Sequence, residues 1–128
     1  MKLHCIIPFV SLLASCDPVT VHVFEPRISG TPVRTSDTRA RLHSAVVETA
    51  ARHDLASSPK KARFTTRGVV TEESLLNYFK RLDSGSISME LYRDHASGTD
   101  KVRLIDWMRF RRSKMSKAIE REIRASLR

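Results

Sequence analysis

Both cysteines of this chain, Cys5 and Cys16, fall within its first sixteen residues. Everything from Asp17 onward must therefore fold without a disulfide, a thiolate nucleophile or a cysteine-bound metal. With 128 residues in all, the chain holds one small domain and short accessory segments. Such a domain rests on burial alone, so its apolar residues must fall on faces that can meet. Hydrophobic residues make up 41% and charged residues 29%, an ordinary globular balance that excludes a disordered chain.

The N-terminal segment reads as an address. Lys2 and His4 precede a nearly unbroken apolar run from Ile6 to Ala14. That run is too short to cross a bilayer and matches a signal-peptide core. Ala14 and Cys16 are suitably small for a cut before Asp17. Residues 1–16 are thus expected to be a signal peptide on a secreted chain with no membrane span. Leu13-Ala14-Ser15-Cys16 also resembles a bacterial lipobox, in which Cys16 carries the lipid.

Residues 17–65 read as a poorly ordered leader. Pro18, Pro26, Gly30 and Pro32 crowd its first part, although Val19, Val21 and Val23 leave a strand-like trace. One helix is expected within it, over 37–56, capped by Ser36 or Asp37, with Leu42, Val46 and Ala50 on one face. Ser57-Ser58-Pro59 ends it.

Residues 66–128 read as a basic helical domain, which makes the fold class mostly α. Thr71 with Glu72 and Glu73 is a helix start, followed by a stripe of Leu75, Phe79 and Leu82. Ile87, Met89, Leu91 and Tyr92 fit a short third helix; their alternation fits a strand as well, but one without an evident pairing partner. No glycine or proline occurs from Lys101 to Arg128, so a long last helix is expected there. Its stripe runs through Leu104, Trp107, Met108, Met115, Ile119 and Ile123, which puts Trp107 in the core.

Charge is concentrated at the C-terminus. The chain carries +9 overall, and residues 101–128 alone hold ten basic against three acidic side chains. Arg109, Arg111, Arg112 and Lys114 form the densest cluster, and Lys60, Lys61 and Arg63 a smaller one. Such clusters serve as polyanion-binding patches, as nuclear-import signals, or as a solvated helix face. Nucleic-acid binding is one reading of the patch.

Motifs for catalysis are missing. The four glycines stand at neither dinucleotide nor Walker spacing, and the five histidines show no metal-ligand pairing. No serine sits in a nucleophile elbow. The expectation is a non-enzyme without metal or cofactor.

A cysteine-free chain behind an export signal is suited to a reducing compartment. Thr38-Arg39-Ala40-Arg41-Leu42-His43-Ser44 stands behind that signal. Its placement resembles the Arg-x-Leu-Arg motif of oomycete RxLR effectors. Here the order is Arg39-x-Arg41-Leu42, and no acidic dEER segment follows. The resemblance implies delivery into plant cells and modulation of immunity or cell death. It also implies residence in the host nucleus or cytoplasm, with a host protein as partner. The alternatives are a lipoprotein anchored through Cys16 and a basic nucleic-acid-binding helical module.

Overall fold

The structure is a computed structural model that describes residues 17–59 and 64–128. The expected signal peptide, the lipidation site at Cys16 and the cluster Lys60, Lys61 and Arg63 lie outside the described residues. Among the described residues, eight strands and two helices follow in order: β1 (Val19–Phe24), β2 (Arg27–Ile28), β3 (Thr31–Pro32), α1 (Ser36–Arg52), β4 (Ala56–Ser57), β5 (Phe64–Thr66), β6 (Val69–Arg81), β7 (Ser86–Asp94), β8 (Thr99–Trp107) and α2 (Lys114–Ser126).

The expected mostly helical class is therefore corrected to a sheet protein. Strands β1-β8-β7-β6-β4 form one antiparallel sheet, with β5 also paired to β6. The reason is legible in β7 and β8. Ile87, Met89 and Leu91 alternate with polar residues, as do Val102 and Leu104. Each strand is the partner the other needs: Met89 lies opposite Leu104, and Leu91 opposite Val102. Side chains at period two bury one face of a strand. The helical stripe read over 71–82 is a false period. A β-bulge between Ser74 and Leu76 inserts Leu75 into β6 and shifts the alternation by one residue.

The segment read as a poorly ordered leader is built into the fold. β1 pairs along its whole length with β8, from Val19 opposite Trp107 to Phe24 opposite Val102. Helix α1 starts where expected but ends four residues early, at Arg52: His53 caps it, Asp54 turns left-handed at φ 56°, and Ala56–Ser57 pairs with β6 as β4, so Ser57-Ser58-Pro59 does not end it. Thr35 caps its start rather than Ser36 or Asp37. The Thr35 hydroxyl accepts from the Thr38 N–H, and Thr38 returns the bond. α1 and α2 cover the same face of the sheet. Leu42, Val46, Ile119 and Ile123 from the helices join Ile87, Met89, Leu91, Val102 and Leu104 in a single buried cluster.

Two carboxylates clasp α2 to its neighbours. Glu120 Oε1 lies 2.9 Å from His22 Nε2 on β1, and Arg112 and Arg124 both reach the same side chain at 3.0 Å. Glu122 meets His53 at 2.6 Å and Arg52 at 2.9 Å, beside the end of α1. Burial pushes both carboxyls up. Hydrogen bonds from Arg124 and Arg112 outweigh it at Glu120, and those from His53 and Arg52 at Glu122. Both groups therefore titrate below the ordinary glutamate value of 4.5. A depressed folded-state pKa gives stability that is present above the ordinary value and lost as pH falls through the depressed one. Each clasp contributes on the order of 0.5–1 kcal/mol after solvent screening. The urea midpoint is expected to fall between pH 5 and pH 3, and the double variant Glu120→Gln, Glu122→Gln is expected to fall less steeply. Equal slopes in the two proteins would contradict the clasp.

Candidate functional site

The junction of β8 and α2 gathers most of the residues singled out by charge. The sequence predicts a helix running through it. The structure instead ends β8 at Trp107, turns through 108–113 and starts α2 at Lys114. Ser113 causes the restart. Its hydroxyl accepts from the Ser116 N–H at 3.0 Å, and its own N–H donates to Asp106 Oδ2 at 3.2 Å. Met108 takes a left-handed backbone, φ 63°, which reverses the chain direction. Such conformations in a non-glycine residue cost about 1–2 kcal/mol and gather at functional sites.

Gly85 holds this turn from the other side. Its φ is 88°, and a Cβ there would collide with the Trp107 carbonyl and press on Met108. The β6–β7 turn therefore packs directly beneath the junction. Arg109 rivets it further. Its N–H donates to the Pro18 carbonyl at 3.2 Å, its carbonyl accepts from the Thr20 hydroxyl at 2.9 Å, and its Nε donates to the Ser84 carbonyl at 3.2 Å.

Three large apolar side chains stand out from this rivet. Trp107, Met108 and Phe110 are 39%, 53% and 51% exposed. The expectation that Trp107 belongs to the core is thereby overturned. Its indole N–H donates to Ser88 Oγ on β7 at 2.8 Å, which fixes the ring over the sheet face opposite α1 and α2. The apolar surface continues along that face. Val19 lies opposite Trp107, Val21 opposite Ile105, and Val21 and Val23 are both exposed.

The basic cluster divides by role. Arg112 faces inward, donating to Ser116 and pairing with Glu120. Arg109 supports the turn. Arg111 and Lys114 are exposed, with no partner among the described residues. The structure adds two cations that sequence reasoning missed. Lys80 and Arg81, at the end of β6, join Arg109 and Lys114 around a cleft of about 510 Å³, with the Lys80 ammonium tethered to the His53 carbonyl at 2.8 Å. The β6–β7 turn folds them back, and no local pattern announces that.

Arg39, Arg41 and Leu42 all lie on α1. Leu42 is fully buried, Arg41 is exposed, and Arg39 reaches Asp100 on β8 at 3.4 Å. The junction and α1 are thus separate sites. Among the described residues no cluster of histidine, cysteine and carboxylate is arranged to hold a metal, and no helix is long and apolar enough to cross a membrane. Comparison with protein-family models, with characterised proteins and with solved structures finds no match to this chain.

Proposed function

We propose that the chain is a non-catalytic binding module that docks the β8–α2 rim on an acidic protein surface. The observation that carries this reading is that Trp107, Met108, Phe110 and Arg111 are exposed together on a turn that Arg109 holds. Tryptophan and arginine dominate the energetic centres of protein interfaces, and methionine and phenylalanine are enriched there. A single-strand nucleic-acid platform needs successive rings on which bases stack. Here the rim continues into the valines of β1, which offer no stacking face and suit an apolar protein contact. The surrounding cations select an acidic partner and accelerate its approach. The apolar N-terminal run and the cysteine-free remainder support a secreted chain that works in a reducing compartment, and only the RxLR-like placement of Arg39, Arg41 and Leu42 points to a plant cell.

The test is quantitative co-purification from plant cells, comparing the parent chain with Trp107→Ala, Phe110→Ala, Arg111→Glu combined. All three side chains are exposed, so the variant is expected to keep the parent circular dichroism spectrum. The expected outcome is the loss of a specific group of acidic proteins, with recovery reduced at least about tenfold, the size of one lost hot-spot residue. An unchanged recovery would contradict the reading. Binding of single-stranded RNA with a steep salt dependence would move it to nucleic acid.

A further inference from the structure

Away from the rim, a second cleft of about 470 Å³ opens between α1 and the sheet. Arg39, Ala40, His43 and Ser44 line it from the helix, one face at helical spacing. Ala40 and Ser44 are too small to fill the space in front of them. The bulge in β6 brings Leu75 to the opposite wall, and fully buried Leu91 is beside it. Bulges re-aim side chains in this way beside binding sites.

The polar end of the cleft is built around Asp100, whose side chain is 2% exposed. Its Oδ1 accepts from Arg93 Nε at 3.0 Å and lies 3.4 Å from Arg39 Nε. Arg39 Nη2 donates to the Gly98 carbonyl at 3.0 Å, and the Asp100 N–H donates to the Val33 carbonyl at 3.1 Å. One carboxylate thus orients two guanidinium groups. Glu73, opposite Arg93 in the sheet register, reaches His95 at 3.3 Å. The terminal nitrogens of Arg93 make no hydrogen bond among the described residues, and a guanidinium has five N–H donors to place.

The geometry points to this cleft as a binding site for a small organic carboxylate with an aliphatic tail. The carboxylate takes the free fork of Arg93, a planar match that favours two parallel hydrogen bonds. The tail lies over Leu75 and Leu91, beneath Ala40 and Ser44. The site is separate from the rim and stands whether or not the rim binds an acidic protein.

Octanoate and 1-octanol are the probes, titrated into the full chain while backbone amide NMR signals are followed. Octanoate is expected to bind saturably with millimolar or tighter affinity, shifting residues 39–44, Leu75, Leu91 and Arg93. 1-Octanol, lacking the anion, is expected to bind at least about tenfold more weakly. Arg93→Gln is expected to weaken octanoate by a similar factor. Ala40→Leu, at an exposed helix position, fills the cleft and is expected to abolish binding with the spectrum otherwise unchanged. Equal binding of the two probes, unchanged affinity in both variants, or shifts centred on Val21 and Trp107 would overturn the assignment.

Discussion

Replacing Arg103 by alanine is expected to cost about 3–5 kcal/mol of folding stability, the largest single-residue effect outside the apolar core. Arg103 sits on the sheet face opposite the helices. Its Nη1 donates to Glu90 Oε1 at 2.6 Å, its Nη2 donates to both oxygens of Glu72 at 3.1 Å, and its guanidinium lies 4.2 Å from the centre of the Tyr92 ring. Glu90 is only 3% exposed. Without Arg103, that carboxylate is left buried with no compensating charge. Removing one partner of a buried pair is far costlier than removing both, because the survivor has lost its water as well as its partner. The double variant Arg103→Met, Glu90→Gln is therefore expected to recover most of the loss. Urea denaturation of the three proteins decides it. A loss below about 1 kcal/mol for Arg103→Ala would mean that water reaches Glu90 and that this face is open along its whole length.

Leu42→Ala is expected to cost about 2–5 kcal/mol, as a fully buried leucine does when its cavity cannot collapse. Leu42 is 0% exposed in the cluster that joins α1 to the sheet. Its neighbour Arg41 points to solvent, and Arg41→Ala is expected to change stability by less than about 0.5 kcal/mol. This contrast separates two roles for one short sequence. If the Arg39-Arg41-Leu42 segment served as an extended recognition peptide, the two substitutions would have similar small effects on folding. Thermal or urea unfolding reads the difference directly.

Some of this architecture was legible in the sequence. The face formed by Leu42, Val46 and Ala50 marks α1, and Met115, Ile119 and Ile123 mark most of α2. Helices declare themselves within one segment, since their apolar positions recur every three or four residues. Strands do not, because each needs a distant partner. The alternation of Ile87, Met89 and Leu91 is visible, but its meaning depends on Leu104 and Val102 beyond a turn. Leu104 also fits a helical stripe with Trp107, and that period hides the end of β8. In β6 the bulge at Leu75 broke the two-residue period, and leucines fell by coincidence at helical steps. β1 was masked by the prolines around it, although Val19, Val21 and Val23 carried its pattern.

The candidate site was half legible for the same reason. A basic cluster needs only composition, so Arg109, Arg111, Arg112 and Lys114 stood out. Their division into an inward Arg112, a structural Arg109 and an outward Arg111 and Lys114 depends on where the strand stops. The aromatic component was hidden by assigning Trp107 to a buried stripe. Lys80 and Arg81 reach the site through a turn whose packing rests on Gly85.

Trp107 stands exposed within a positively charged rim. It is the single tryptophan of the chain, so its fluorescence reports on that place alone. The most direct measurement is quenching by iodide compared with caesium in the full chain at low salt. Strong quenching by iodide, weak quenching by caesium and a narrowing of the difference in Arg111→Glu are expected, because the rim concentrates anions and excludes cations. Blue-shifted emission that resists both ions would place the indole in a core and not on the rim.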